Sequence, residues 1–231
     1  MDTIDSELAK RLSLSCKILA DAGHDNLTMG HVTARKPGRD CMLMNAHDLG
    51  LGEIEPANVL LMDLNGNVLA GTGRKHSEYP IHSEIYKTCP TINCVVHTHP
   101  FYSIIVGATD GRIKAISHEG SIFAGIPLFE KTSLLIRSPE SGRSVADSLQ
   151  GHRAMLMQNH GIVAVGESIE EATVYAVLLE RAAKMQVSAA MLGPVHESST
   201  HEAAGKQGQV FYPRNIKGFW EFLVRSLPND R

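Results

Sequence analysis

The sequence predicts one α/β layered domain over residues 1–231 whose central sheet is partly antiparallel. A chain of 231 residues, 43% apolar and 20% charged, is typical of a globular protein that buries a large core without disulfides. Short β-rich segments are joined in pairs by turns and lie between helices, which favours antiparallel pairing over a doubly wound parallel sheet. We see no internal repeat, low-complexity tract or linker. These observations exclude disordered, collagenous and disulfide-scaffold proteins.

The N-terminal half is predicted to alternate helices with hairpins. Apolar residues recur at helical spacing from Ile4 to Leu19, and Gly23 follows as a stop signal. Asn65-Gly66 is the strongest short hairpin signal in the chain. The other predicted elements are strands over 31–35 and 41–45 around Pro37-Gly38, strands over 59–64 and 67–70, a helix over 78–88, a strand over 92–98 and a short helix over 101–107.

The C-terminal half is predicted to end in a long helix and an extension. Ser168 and Glu171 have the spacing of a capping box at the start of that helix, and Gly193-Pro194 follows its end. The predicted elements are strands over 113–117 and 133–136, a helix over 142–149, strands over 154–158 and 162–165, the long helix over 168–192, a flexible polar stretch over 196–209 and a helix over 216–227.

Charge and targeting signals argue against several partners. The 22 basic and 25 acidic residues give a net charge of −3, so no basic patch for nucleic acid or anionic membrane is implied. Apolar runs fall short of the roughly 20 residues that a bilayer span needs. The acidic start, residues 1–5, lacks the basic region of a signal peptide, so we expect a cytoplasmic protein. The four cysteines contain no Cys-x-x-Cys pair and are expected to be small buried side chains.

Histidine is over-represented, with 12 residues, and it is the commonest metal ligand. His97 lies at the end of the predicted strand over 92–98 and His99 directly follows that strand, so the two side chains point to the same face and can bind one ion. The alternative is that they are surface histidines at this spacing by chance. A catalytic metal needs three protein ligands and an open position. His160 is the natural third ligand if the strands are neighbours; otherwise it is an exposed turn residue.

Glu78 and His82 share one face of a predicted helix. Glu78 has two interpretations. It caps the helix start, or it binds the metal at rest and transfers a proton when substrate displaces it. His82 is expected to orient the helix. No phosphate loop, dinucleotide-binding fingerprint or nucleophile elbow is present, so no nucleotide cofactor is expected.

Four motifs in order resemble the class II aldolase/adducin family. They are Gly30-His-Val-Thr-Ala-Arg35, Lys75-His-Ser-Glu-Tyr-Pro-Ile-His82, Val96-His-Thr-His-Pro100 and Gln158-Asn-His-Gly161. The resemblance covers roughly residues 5–192 as the domain core and leaves 193–231 as an extension. It implies a three-layer α/β/α sandwich with a mixed, largely antiparallel sheet, and a homotetramer with sites between subunits. It also implies a divalent ion bound by His97, His99 and His160, with Glu78 as fourth ligand or acid/base.

Two positions depart from the sugar-phosphate members of that family. Those enzymes typically have Gly-Asn-hydroxyl where this chain has Gly30-His31, and Ser-Ser-Glu where it has His76-Ser77-Glu78. An imidazole is a bulkier and poorer phosphate host than a hydroxyl. The pattern resembles instead the metal-dependent decarboxylases of hydroxylated aromatic or pyridine carboxylates. Adducin-like members share Gly-His but have lost the metal set.

The sequence therefore predicts a metal-dependent carbon–carbon lyase, with a decarboxylase favoured. A sugar-phosphate aldolase or epimerase is the alternative, and a non-enzymatic adducin-like interaction module is a further one. Arg35 either pairs with a substrate carboxylate or forms a structural ion pair. His31, His76 and His118 are further catalytic candidates. Three histidines and a carboxylate suit zinc or manganese equally.

The last apolar run has two interpretations. The run consists of Phe219, Trp220, Phe222 and Leu223. In the first interpretation it reaches another subunit, in a contact between subunits or at the neighbour's site. In the second it packs on its own subunit.

Overall fold

A computed structural model describes residues 3–36, 39–109 and 112–228. One sheet of eight strands forms its central layer. The strands are β1 His31–Ala34, β2 Cys41–Asn45, β3 Val59–Asp63, β4 Val68–Ala70, β5 Cys94–Thr98, β6 Leu128–Phe129, β7 Ala154–Met157 and β8 Gly161–Gly166.

The sheet order is β4-β3-β2-β1-β5-β8-β7-β6. Every neighbouring pair is antiparallel except β6 with β7. The predicted mixed, largely antiparallel sheet is thus confirmed. Its order brings β1 beside β5 and β5 beside β8, which places the ends of three motif-bearing strands at one edge.

Eight helices within the described ranges cover the two faces of this sheet. They are α1 Ser6–Leu19, α2 Tyr79–Thr88, α3 Phe101–Gly107, α4 His118–Phe123, α5 Pro139–Leu149, α6 Ile169–Ala190, α7 Thr200–Val210 and α8 Pro213–Ser226. Among them, none combines the length and apolar content needed to cross a lipid bilayer.

Alternating strand residues build a separate core on each face of the sheet. On one face, Val95 and Val163 pack with the buried sides of α2 and α5, including Ile81 and Val145. The other face packs against α1, α3, α4, α6 and α8. Helices α2 and α5 lie so close that a Cβ at Gly142 would sit 2.4 Å from the Pro80 carbonyl oxygen. The three-layer α/β/α arrangement is confirmed.

Two predicted strands are wrong. Residues 113–117 form an irregular segment that the Gln186 amide holds, accepting from the Lys114 N–H at 2.8 Å and donating to the Arg112 carbonyl at 2.9 Å. Residues 133–136 form a loop whose Ile136 N–H bonds a carboxylate at the candidate site. Neither segment pairs with a strand among the described residues, whereas Leu128–Phe129, which was not predicted, pairs with β7.

The predicted flexible stretch over 196–209 is also wrong, because most of it is helix α7. Ser199 and Glu202 form a reciprocal capping box at its start, which offsets the helix-weakening glycines. At the predicted box of α6, Ser168 accepts from the Glu171 N–H at 3.2 Å. The Glu171 carboxylate, however, accepts from the Glu167 N–H instead of returning to Ser168.

Other predicted elements need only small changes. Most predicted helix and strand ends move by a few residues, and the final helix starts at Pro213. The Pro37-Gly38 turn lies outside the described residues, as do Met1 and Asp2 of the predicted start. Cys16 and Cys94 are buried, whereas Cys41 and Cys89 are partly exposed.

Candidate metal centre

Four chemistry-bearing side chains meet at the edge of the sheet where β5 ends and β8 begins. They are Glu78, His97, His99 and His160, and each offers one ligand atom within 4.8 Å of the others. Strand pairing explains the meeting, because Thr98 is the register partner of Ile162, next to the β7–β8 turn that carries His160. We call these four residues the metal cluster.

The β7–β8 turn reaches β5 because Gly161 has no side chain. A Cβ at this position would lie 2.4 Å from the Thr98 carbonyl oxygen. Asn159, two residues earlier, adopts a left-handed backbone conformation with φ of 55°. The Asn-His-Gly sequence is therefore what brings the His160 ring against the β5 histidines.

His97 is oriented by the backbone of the neighbouring strand. Its Nδ1 donates to the Ile162 carbonyl at 2.9 Å, which leaves the Nε2 lone pair free for an ion. That Nε2 lies 3.2 Å from Nε2 of His99 and 3.9 Å from Oε2 of Glu78. A backbone acceptor behind a ligand histidine fixes both its tautomer and its ring angle.

Several buried ring nitrogens of the metal cluster have no hydrogen-bond partner among the described residues. They are Nδ1 of His99 and both ring nitrogens of His160. Leaving a buried polar atom unpaired is unfavourable, so such atoms indicate an unaccounted partner. Three imidazoles and one carboxylate are a donor set that holds divalent zinc or manganese, so these residues fit a metal ion.

The protonation of the metal cluster also suits a cation. Burial, followed by the nearby His99 and His160, lowers the pKa of His97 well below its ordinary value. Burial and His160 lower the pKa of His99 to about 4. For Glu78 burial alone raises the pKa, but the His160 ring and the Ile136 N–H outweigh it, and the net shift is downward. At neutral pH His97 and His99 thus present neutral lone pairs, and Glu78 presents a carboxylate.

Glu78 does not cap helix α2, so that interpretation is wrong. It occupies the residue before the helix, but its side chain makes no hydrogen bond to the first turn. Oε1 instead accepts from the Ile136 N–H at 2.7 Å and lies 3.6 Å from Nε2 of His160. The loop over 130–137 therefore aims this carboxylate at the histidines.

A second group of histidines, the inner histidine group, adjoins the metal cluster and consists of His31, His76 and His82. The His31 ring centroid lies 4.9 Å from that of His97, its register partner on β5, and 4.6 Å from that of His76. Nδ1 of His31 lies 2.6 Å from Nε2 of His82. The segments that carry His31 and His76 therefore meet beside the metal cluster.

His76 is the member of the inner histidine group nearest the rim. The Asn45 amide donates to its Nε2 at 3.2 Å, and its ring lies 4.9 Å from that of His47. Burial, followed by the charge of His47, lowers the pKa of His76 to about 4. Burial, followed by the neighbouring histidines, also lowers the pKa of His31, so His31 can offer an N–H group to a ligand without carrying a positive charge, whereas Nε2 of His76 is already occupied by the Asn45 amide.

Arg35 is not at the site, which corrects both of its predicted roles. It follows the far end of β1 from His31, and its guanidinium donates to the carbonyls of Cys89, Pro90 and Ile92 at 3.1–3.3 Å. The same group stacks over the Tyr86 ring, 4.5 Å from its centroid. Arg35 therefore fastens the α2–β5 connection instead of binding a substrate or a carboxylate.

His118 is not at the site either. It is exposed at the first position of α4, which packs against α6 and α7 on the opposite face of the sheet from α2. The predicted catalytic role for His118 is therefore contradicted by its position in the fold.

Two supporting groups had no clear signal in the sequence. The Ile136 N–H lies in a segment predicted as a strand, so its bond to Glu78 was not expected. Glu180 of α6 accepts from the N–H groups of Tyr102 and Ser103 at 2.9 and 2.8 Å. It thereby caps helix α3, which starts directly after His99 and Pro100, and fixes where β5 ends.

Comparison with known proteins finds similarity over most of the chain. Residues 10–187 match the family model described as Class II Aldolase and Adducin N-terminal domain. The chain is 29% identical over 174 residues to an L-fuculose phosphate aldolase of Methanococcus maripaludis, covering 74% of this chain and 91% of that protein. It is 25% identical over 196 residues to a 3,4-dihydroxyphthalate decarboxylase of Arthrobacter keyseri, covering 79% of this chain and 78% of that protein.

The fold has counterparts among solved structures. An aldolase II superfamily protein from Pseudomonas syringae superposes with a TM-score of 0.88 at 24% identity, over 98% of this chain and 94% of that one. The relatives named above include both an aldolase and a decarboxylase, so similarity to them does not distinguish the two reactions.

Proposed function

This chain belongs to the class II aldolase and adducin family, and on that premise we propose that it is a divalent-metal-dependent carbon–carbon lyase that decarboxylates a hydroxylated aromatic or pyridine carboxylate. The observation that carries the proposal is the pair of buried rings of His31 and His76, 4.6 Å apart and beside His97. They stand where the sugar-phosphate enzymes of the family are expected to have small polar residues.

The metal cluster supports lyase chemistry in general. When bound, a divalent ion supplies a Lewis acid that stabilises negative charge on a substrate oxygen as the carbon–carbon bond breaks. Glu78, held by the Ile136 N–H, is positioned to deliver the proton that replaces the lost carboxyl group on the ring carbon. The step balances, because the ring carboxylate plus one proton gives CO₂ and the same ring with a hydrogen in place of the carboxyl group.

The inner histidine group supports an aromatic diacid as substrate. In 3,4-dihydroxyphthalate, named for one relative, a hydroxyl neighbours one carboxylate and a second carboxylate is adjacent. The hydroxyl and its neighbouring carboxylate suit the metal cluster, while an N–H group of His31, beside the His76 ring, suits the second carboxylate. A sugar-phosphate aldolase needs a small polar pocket for the phosphate, because phosphate binding positions the reacting end of the sugar. The two imidazole rings are too bulky for such a pocket.

Sugar-phosphate cleavage is the alternative, because one relative is named an L-fuculose phosphate aldolase. Aldol cleavage needs the same stabilisation of negative charge, so the metal cluster serves either reaction. A non-enzymatic adducin-like module is disfavoured by the four converging metal-cluster side chains, which have no structural need to meet.

A parallel substrate screen tests the proposed reaction. We expect the zinc- or manganese-loaded protein to release CO₂ from 3,4-dihydroxyphthalate or a related ortho-hydroxylated pyridine or benzene dicarboxylate. Turnover of 2,3-dihydroxybenzoate, which lacks the second carboxylate, should be slower because the inner histidine group gains no partner. Ketose and aldose phosphates, including L-fuculose 1-phosphate, should not react.

The controls for this screen are chelator-treated protein and the His118→Ala variant, which removes an exposed histidine outside the site. CO₂ release should disappear in the first and persist in the second. Cleavage of a sugar phosphate without decarboxylation of any aromatic acid would replace the proposal with the aldolase alternative.

We also propose that the chain assembles as a homotetramer with its sites near subunit boundaries. Phe101, which follows the metal-binding motif, is 67% exposed, and Phe222 of α8 is 60% exposed, whereas Trp220 packs into the subunit's own core. Closed fourfold symmetry buries two different surface patches against each other. Light scattering should give a mass near four times 25.1 kDa, and a stable monomer would contradict this assembly.

A further inference from the structure

A continuous line of buried hydrogen bonds runs from His31 into the core beneath the site. Nδ1 of His31 lies 2.6 Å from Nε2 of His82, and Nδ1 of His82 lies 2.7 Å from Oγ1 of Thr33. Oγ1 of Thr33 lies 2.8 Å from the Tyr86 hydroxyl. All four residues are buried, so each hydrogen in the line needs a partner within the protein.

Two directions of donation are possible along this line, and its inner end decides between them. If His31 donates to His82, then His82 donates to Thr33 and Thr33 donates to Tyr86. The Tyr86 hydroxyl would then have to donate to the Asn93 carbonyl. That oxygen is 3.5 Å away, beyond the normal range for O–H···O, and it already accepts from the Arg35 N–H at 2.9 Å. If Tyr86 donates to Thr33 instead, the hydrogens of Tyr86, Thr33 and His82 each have an acceptor at 2.6–2.8 Å, and the hydrogen of His31 is left on Nε2, outside the line.

The chemistry of the groups favours the same direction. A phenol is a better donor than an alcohol, and an imidazole nitrogen is a good acceptor. The Arg35 guanidinium, 4.5 Å from the centroid of the Tyr86 ring, polarises the phenol further toward donation. Thr33 then donates to Nδ1 of His82, and Nε2–H of His82 donates to Nδ1 of His31.

We propose that Tyr86, Thr33 and His82 are positioning residues that fix His31 in the tautomer carrying its hydrogen on Nε2, so that His31 donates a hydrogen bond to the substrate's second anionic group. The identity of that group rests on the proposed function, but the tautomer does not. With Nδ1 occupied by His82, Nε2 is the His31 nitrogen left for a ligand. The line of hydrogen bonds thus makes Nε2 of neutral His31 a donor, whereas an isolated neutral histidine can carry its hydrogen on either ring nitrogen.

The test uses Thr33→Val, which keeps the shape and β-branching of this strand residue but removes its hydroxyl. Thr33→Ser is the matched control, because it retains the hydroxyl. Long-range proton–nitrogen spectra of zinc-loaded protein labelled with ¹⁵N-histidine report the tautomer, and the His31→Gln variant assigns the signals. We expect the hydrogen of His31 on Nε2 in the wild type and in Thr33→Ser, and a mixture of tautomers in Thr33→Val.

Kinetics test the link from the line to the substrate. For the dicarboxylate identified by the substrate screen, KM should rise about fivefold to tenfold in Thr33→Val, as expected for one weakened hydrogen bond. The kcat and the zinc content should stay close to wild type, and Thr33→Ser should restore KM. Tyr86→Phe, which removes only the donor oxygen at the inner end, provides a second variant with the same expected direction.

Two results would overturn the inference. A wild-type His31 carrying its hydrogen on Nδ1 would reverse the line, whether or not any substrate is found. An unchanged KM for the dicarboxylate in both Thr33→Val and Tyr86→Phe would remove the role in substrate positioning. Because the spectra need no substrate, a failure of the proposed decarboxylation and a failure of this inference give different outcomes.

Discussion

Replacing His160 with alanine is expected to strip the divalent ion and to reduce turnover by at least about 10³. Nε2 of His160 is buried without a hydrogen-bond partner in the described part of the chain and lies 3.6 Å from Oε1 of Glu78, so an ion is the partner that this nitrogen fits. Loss of the Lewis acid removes several kcal/mol of stabilisation, and about 1.4 kcal/mol corresponds to a tenfold rate change. The same result is expected for His97→Ala and His99→Ala.

Folding should survive the His160→Ala change because His160 lies in a turn outside both hydrophobic cores. Metal content by mass spectrometry is the primary measurement, with the melting transition followed by circular dichroism. His118→Ala is the matched control and should keep the wild-type metal content. Full metal occupancy in His160→Ala would show that His160 is not a ligand.

The local pattern of the sequence predicts most of the helices and strands, as well as the candidates for the metal cluster. His97 and His99 share a face because side chains alternate along a strand, and this holds in any fold that keeps the strand. Whether His160 joins them depends on β8 lying beside β5, and these strands are far apart in the sequence. The family resemblance predicts that the three histidines meet, whereas the periodicity of the sequence does not.

Arg35 shows why adjacency in a motif misleads. It stands four residues from His31, but on a strand this spacing corresponds to about 13 Å, so the two side chains belong to opposite ends of β1. His31 pairs with His97, whereas Ala34, the residue before Arg35, pairs with Cys94 at the far end of β5. Direction along the strand therefore separates a site residue from one that fastens a helix to the sheet.

His82 shows the opposite case, in which a residue expected only to orient a helix is bonded to the site. The i, i+4 spacing from Glu78 places His82 on the helix face toward the sheet, but it does not identify the residues that His82 contacts on that side. Those partners, His31 and Thr33, come from β1 and are 51 and 49 residues away in the chain. Only the pairing of β1 with β5 under helix α2 brings them together.

The second large effect is expected at Glu78, where Glu78→Gln should lower turnover by ~10²–10⁴, the typical contribution of a general acid/base. Glutamine preserves the shape of the side chain and can still accept from the Ile136 N–H through its amide oxygen. The loop over 130–137 should therefore stay in place. Metal binding should weaken but persist, because three histidines remain, so a rate loss measured at saturating metal reports proton transfer.

Glu84→Gln is the matched control for this change, because Glu84 lies on helix α2, which Glu78 directly precedes, is also buried and pairs with Lys87 away from the metal cluster. It should leave turnover near that of the wild type. Single-turnover measurements with a saturating substrate separate the chemical step from product release. Activity of Glu78→Gln within a few-fold of the wild type would leave this carboxylate as a metal ligand only and would require another group to deliver the proton.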